Sequence, residues 1–334
     1  LDGIDQVLKR YKDRNKVFGG VQVLMIGDIQ QLSPVVKDAE WELLKPFYKT
    51  PYFFSSQAFN QANSINIELK HIYRQDNQKF IGILNEIRNN ELTEKAAKEL
   101  NKRYLPNFKP EKDDGYIILT THNHMANTMN DVELKKLDVK SYFYTAEIDG
   151  KFQEYAYPTH ENLELKVGAQ VMFIKNDSSP EKRYFNGKIG KIVSLDENKV
   201  SVICPGETEE INSTPEKWEH VNYTINSETK AISENIVGSF IQIPLRLAWA
   251  ITIHKSQGLT FDKAIIDTKT SFAHGQTYVA LSRCRSLEGI VLMHPIDERS
   301  IITDTRALSF NQNVSENQPN DNILKESQMG FQLN

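Results

Sequence analysis

Apolar positions along the chain change period twice, and each change marks a change of architecture. Residues 2–16 place Ile4, Val7, Leu8 and Tyr11 at helical spacing, which predicts an amphipathic helix ended by Gly19-Gly20. The apolar run 21–26, closed by Gly27-Asp28, predicts a buried parallel strand opening into a loop at its C-terminal edge. Phe80, Ile83, Leu84 and Ile87 predict a second helix, and Thr93 is placed to cap a third that runs to about residue 104. Residues 116–120 predict another strand, followed by a helix over about 124–137. From about residue 140 the period shortens. Segments 151–157, 163–176, 189–195 and 199–203 predict short strands, punctuated by the turn dipeptide Asn186-Gly187 and by Gly190. At residue 241 the longer alternation returns: strand 245–253, a polar turn, strand 264–267, helix 276–283 and strand 290–293. An α/β domain interrupted by a small antiparallel β domain is the simplest architecture with that order. The stretch beyond about residue 310 is rich in Asn, Gln and Ser, which predicts a disordered tail or linker.

Composition narrows the class. The chain has 334 residues, 39% hydrophobic and 25% charged, enough for real cores and too apolar for a disordered chain. It has no run of 18 apolar residues and no signal-peptide pattern at Leu1-Asp2-Gly3-Ile4-Asp5. Cys204 and Cys284, far apart, build neither a disulfide framework nor a cysteine zinc site. Few cysteines make a cytosolic or nuclear protein the default expectation. The net charge of −4 argues at first against a nucleic-acid partner. The charge is uneven, however: 17 basic against 13 acidic side chains in residues 1–110, 14 against 22 in 111–240, and 9 against 9 in 241–334. An acidic middle block leaves room for a local basic groove elsewhere. The chain starts with Leu1, which is expected of a fragment or a processed form.

Four segments carry candidate chemistry. A strand ending in Gly27-Asp28 puts a carboxylate at the sheet edge where α/β proteins bind ligands, with Gln31 in reach of a phosphate or metal-bound water. The same residues also suit a loop stiffened by Pro34. Arg74 precedes a helix and suits either a fork-shaped phosphate contact or a surface ion pair with Asp76. In 249–260 an apolar strand flows into Thr252, His254, Lys255, Ser256, Gln257 and Gly258, a dense set of donors with a glycine that permits close approach. A polar turn is the plainer reading. In 276–285 helical spacing lets a rigid element present Arg283, or simply solvates a helix end.

In this order the four segments resemble the motifs of the RecD/PIF branch of superfamily 1 DNA helicases, which move 5′ to 3′ on single-stranded DNA. Tyr52-Phe53-Phe54, residues 80–88, and Leu119 to Asn123 with Asn130 are similar to further stretches of that family; 168–176 with 186–190 resembles its inserted SH3-like barrel. The resemblance covers about residues 1–310. It implies a RecA-like, P-loop NTPase-type second motor domain with an inserted small SH3-like β-barrel, plus the C-terminal piece of a first RecA-like domain. The implied blocks are 1–50 for the first motor domain, 51–144 and 241–310 for the second, 145–240 for the barrel and 311–334 for the tail. By the same resemblance Gln31 senses the γ-phosphate, Asp28 organises its loop, and Arg74 and Arg283 are arginine fingers. Thr252, His254, Lys255, Ser256 and Gln257 grip single-stranded DNA, with Asn123 beside them. ATP and Mg²⁺ are the implied cofactors, and no metal ligand falls within the chain. The implied partners are single-stranded and fork or duplex-junction DNA. No membrane is implied, and the motor is expected to be monomeric. The expected place is the nucleoid in a bacterium, or the nucleus or mitochondrion in a eukaryote. The expected work is ATP-driven 5′-to-3′ translocation and duplex unwinding; the alternative is a non-catalytic single-strand-binding module.

One element of such a motor is absent from the chain. A phosphate-cradling loop needs Gly-x-x-x-x-Gly-Lys followed by Ser or Thr. Here Gly150-Lys151 precedes Phe152, Gly187-Lys188 precedes Ile189, and Gly190-Lys191 precedes Ile192. By the same resemblance the chain is expected to begin just after the family's Mg²⁺-binding Asp-Glu segment, and not to hydrolyse ATP alone.

Overall fold

Four short apolar strands, Ile117–Thr120, Ala250–Thr252, Ala264–Ile266 and Ile290–Leu292, pair in parallel in the computed structural model, which describes residues 1–111, 114–225 and 232–319. Ala250–Thr252 forms one edge, then come Ile117–Thr120, Ala264–Ile266 and Ile290–Leu292. Their side chains are almost all buried, which is why each reads as an unbroken apolar run. The helix Asn123–Lys135 returns over the edge strand and clamps it through one side chain. Buried Asn130 donates from Nδ2 to the Ala250 carbonyl (2.9 Å) and accepts from the Ala250 N–H (2.8 Å). An edge strand's open backbone groups are thereby satisfied by an amide.

The antiparallel part is larger than the pattern predicts. Leu245–Leu247, Gln170–Phe173, Ile189–Asp196, Lys199–Ile203 and Ile211–Ser213 form a five-stranded sheet in that order. Its core includes Leu163, Leu165, Val171, Phe173, Val200, Val202 and Leu245, each at most 1% exposed. Gly187 sits at φ +100°, the conformation the Asn-Gly turn calls for. The segment 245–253, expected as one strand, is two. Its first part completes the antiparallel sheet and its second the parallel one. Gln170 holds the switch point by donating to the carbonyls of Tyr116 and Ala248, both at 2.8 Å. Residues 151–157, expected as a strand, contain instead the short turn Glu154–Ala156. The strands Glu147–Gly150, Ile232–Gln242 and Glu216–Ile225, which form a three-stranded sheet, carry no clean alternation in the sequence. These elements all belong to one compact unit, Ala97–Thr270 with Ala280–Ile296.

The other unit comprises Leu1–Ala96, Ser271–Val279 and the described residues from Asp297 onward. The bounds of the two units differ from residues 50, 144 and 240, the block boundaries that the resemblance implies. Helix Asp2–Tyr11 is shorter than the expected 2–16. Buried Asp5 on it accepts from the Phe18 N–H (2.6 Å) and from Lys9 Nζ (2.7 Å). Residues 21–26 form no strand, and Leu24 and Ile26 are 82% and 85% exposed. A strand is made by its ladder partners, and no described strand lies beside this run. The disorder expected from residue 311 is corrected by a helix, Thr305–Glu316. Its Phe310 stacks on Phe54 at 4.5 Å and meets Phe53 edge-on at 5.5 Å, so an aromatic anchor orders a polar helix. Residues 320–334 of the expected tail lie outside the described residues.

Candidate functional site

The parallel register builds the first candidate site. Thr120 pairs with Thr252, so the loops that leave both strands emerge from one sheet edge. Asn123, in the first turn of its helix, is exposed at that edge. Thr252 is buried, and its hydroxyl accepts from the Lys255 N–H (3.3 Å). Ser256 is also buried and donates to the Ile253 carbonyl (2.7 Å). These two hydroxyls shape the turn, so they act on a ligand through the backbone they hold. Lys255 and Gln257 are exposed on it, and His254 is half-buried. Partial burial, and then the nearby Arg246 charge, lower the proton affinity of Lys255. Burial alone lowers that of His254. Gly258 at φ +86° ends the turn with no side chain in the way. The expected DNA-contact residues are thus gathered on one edge, with two of the six as internal supports.

The second candidate site lies in the other unit. Asp28 organises its loop by accepting from the Gln30 N–H (3.1 Å) and from Gln31 Nε2 (3.3 Å). Arg88, in the last turn of helix Gln78–Arg88, reaches Asp28 at 3.5 Å and Glu68 at 3.5 Å. Burial works against the Arg88 charge, but Asp28, Tyr278 and Glu68 outweigh it, so its pKa is raised. Beneath the loop, Gly275 sits at φ +72° with no room for a side chain: a Cβ would lie 2.4 Å from the carbonyl oxygens of Gln30 and Gln31. His274 Nδ1 accepts from the Asp304 N–H (2.8 Å), which leaves Nε2 to donate to the Ile29 carbonyl (3.0 Å). A small cleft beside this loop is lined by Gln30, Arg88, His274, Thr277 and Tyr278 among others. Arg74 is half-buried; its pKa is lowered by desolvation, with Tyr278 opposing.

Arg283 follows helix Gln276–Ser282 and is 2% exposed. It donates to Ser282 Oγ (2.9 Å) and to the Leu259 carbonyl (3.4 Å). Sequence reasoning passed over Arg88, Glu68, His274 and Gly275 as site residues. Their partners lie tens to hundreds of positions away, and only the basic last turn of the helix hinted at Arg88. Among the described residues, no group of three or more His, Cys, Asp or Glu side chains is placed to hold a metal ion. No helix among them is long and apolar enough to cross a membrane.

No family model matches the chain. The ATP-dependent DNA helicase PIF1 of Homo sapiens is 31% identical over 323 residues, 93% of this chain and 46% of that protein. The crystal structure of Bacteroides sp. Pif1 in complex with ADP-AlF4 is 38% identical and matches with a TM-score of 0.83, over 94% of this chain and 72% of that one. Bacteroides Pif1 bound to ssDNA is 39% identical and matches with a TM-score of 0.68, over 93% and 71%. The chain spans about half the length of the first curated relatives it matches.

Proposed function

This chain belongs to the PIF1 family of ATP-dependent DNA helicases, and on that premise we propose that it supplies the DNA-gripping and phosphate-sensing half of a motor that moves 5′ to 3′ on single-stranded DNA and opens duplexes. The observation that carries the reading is the pairing of Thr120 with Thr252, because it gathers Asn123 and the 252–257 donors on one edge. A phosphodiester backbone laid there meets the Lys255 charge and the Gln257 amide, on a turn whose backbone Thr252 and Ser256 hold in place. The match to a Pif1 solved with ssDNA supports the same partner.

The phosphate side of the motor is assigned to Gln31, Asp28, Arg74 and Arg283. Asp28 accepts from Gln31 Nε2 and so steadies the side chain assigned to the γ-phosphate. Arg74 and Arg283 carry guanidinium charge to where negative charge grows as the phosphoryl group transfers. Bound Mg²⁺ neutralises phosphate charge in such chemistry, and no residue here is assigned to hold it. In this reading the Ile117–Leu292 region is the second RecA-like motor domain, the five-stranded sheet is its SH3-like insert, and residues 1–50 close the first motor domain. Chain 1–334 by itself is proposed to bind DNA and not to turn over ATP.

Fluorescence anisotropy with a labelled oligo-dT strand tests the DNA edge. Loss of one phosphate contact flattens the log–log salt dependence of binding by about 0.7. Lys255→Ala is expected to show that change together with weaker binding. An unchanged slope and affinity would remove the edge from the DNA path.

A further inference from the structure

Arg88 lies between two carboxylates from distant parts of the chain. It ends helix Gln78–Arg88, whose buried Phe80, Ile83, Leu84 and Ile87 anchor the helix and so fix where the side chain starts. Its Nη2 meets Asp28 Oδ1 and its Nη1 meets Glu68 Oε1, both at 3.5 Å. The side chains of Asp28, Arg88 and Glu68 are 21%, 23% and 23% exposed, so water screens the two pairs incompletely. A cation at a helix C-terminus also suits the helix dipole, but that needs neither partner. Glu68 is itself held from elsewhere. Its Oε2 accepts from Ser315 Oγ (2.8 Å), and its N–H donates to Gln318 Oε1 (3.0 Å). Ser315 belongs to helix Thr305–Glu316, which is seated on the Phe53 and Phe54 rings.

The 28–31 loop needs such a hold. His274 and Gly275 brace its backbone at 29–31. The Gln30 side chain adds no hold: it is 1% exposed, and its amide has no hydrogen-bond partner among the described residues. The side-chain end, Asp28 with Gln31, is left to Arg88. Asp28 Oδ1 takes the Arg88 charge and the Gln30 N–H, which leaves Oδ2 for Gln31 Nε2. A carboxylate pinned at one oxygen by a charge-assisted contact loses its freedom to turn, and the amide it holds is pre-organised. We propose that Arg88, held by Glu68, is a positioning residue for phosphate sensing: it fixes the Asp28 carboxylate that steadies Gln31. The inference rests on the reading of Gln31 as the residue that meets the γ-phosphate; Arg88 itself touches no phosphate in it. A misplaced sensor costs rate rather than nucleotide affinity, because its contact matters most where charge grows during transfer.

Two measurements test this, on variants with an unchanged thermal melt. The first needs no nucleotide. In chain 1–334, Arg88→Ala is expected to speed hydrogen exchange of the Gln30 N–H, which donates to Asp28, about tenfold, while the interior of helix Gln78–Arg88 keeps its protection. Glu68→Gln keeps the size and removes the charge; it is expected to speed the same exchange several-fold, and it serves if the alanine variant misfolds. Wild-type protection of Gln30 in both variants overturns the inference. The second measurement uses a protein that also carries the family's ATP-binding segment. There Arg88→Ala is expected to lower kcat for DNA-stimulated ATP hydrolysis about tenfold with an unchanged KM for ATP. Added to Gln31→Ala, it is expected to lower kcat no further, since both act through one side chain. A further loss of about tenfold in the double variant, or a raised KM with an unchanged kcat, overturns the positioning role. Normal kcat for Arg88→Ala beside a slow Gln31→Ala overturns the inference and leaves the Gln31 reading standing. Normal kcat for Gln31→Ala overturns that reading, and the inference with it.

Discussion

Gly275 shows how one residue positions a site built from distant sequence. Its φ of +72° lies where side chains are strained, and a Cβ would lie 2.4 Å from two backbone oxygens of the 28–31 loop. Gly275→Ala is therefore expected to destabilise by about 2–4 kcal/mol, combining left-handed strain with overpacking. Urea unfolding measures it, and a change below about 0.5 kcal/mol would show that the loop does not rest on this glycine. Other residues were legible without the fold. Thr93 caps its helix by accepting from the Ala96 N–H (3.2 Å), as its hydroxyl and position predict. Asp28 was legible as a loop organiser, since its partners at 30 and 31 are local. Its link to Arg88 was not, because 60 residues separate them.

Elements with a strong local period emerge as the pattern predicts. The helices Gln78–Arg88 and Asn123–Lys135 and three of the four parallel strands, Ile117–Thr120, Ala264–Ile266 and Ile290–Leu292, fall within a few residues of their expected bounds. The failures share a cause. The run 21–26 has strand composition and no ladder partner, 245–253 is divided between two sheets, and Thr305–Glu316 is ordered by aromatic rings rather than by its own propensity. Asn130 marks where element and residue meet, because its amide substitutes for a neighbouring strand along Ala250–Thr252. Asn130→Ala leaves two buried backbone groups unpaired, and a loss of about 2–4 kcal/mol is expected. Amide hydrogen exchange should quicken first at Ala250. Protection there equal to wild type would mean that the edge strand does not depend on the clamp.

At the scale of the whole molecule, the candidate residues divide between two units: Gln31, Asp28 and Arg74 in one, Arg283, Asn123 and the 252–257 turn in the other. Placed in a protein that also carries the family's ATP-binding segment, Arg74→Ala or Arg283→Ala is expected to lower DNA-stimulated ATP hydrolysis by about 10³-fold or more while sparing nucleotide binding. Turnover assays beside nucleotide-binding titrations separate the two effects, and near-normal turnover in both variants would withdraw the arginine-finger roles. The sequence by itself determined the alternation of α/β and antiparallel segments, the helix caps, the Asn-Gly turn and the ordered motifs that pointed to the family, because each depends on residues a few positions apart. It also exposed the limit of net charge, since an acidic middle block of 14 basic and 22 acidic side chains masks the donors elsewhere. Only the tertiary structure decided which strands pair, which side chains hold the 28–31 loop, and that Asn123 and the 252–257 turn share one sheet edge. Those depend on contacts between groups far apart in the chain, where packing has no local signature.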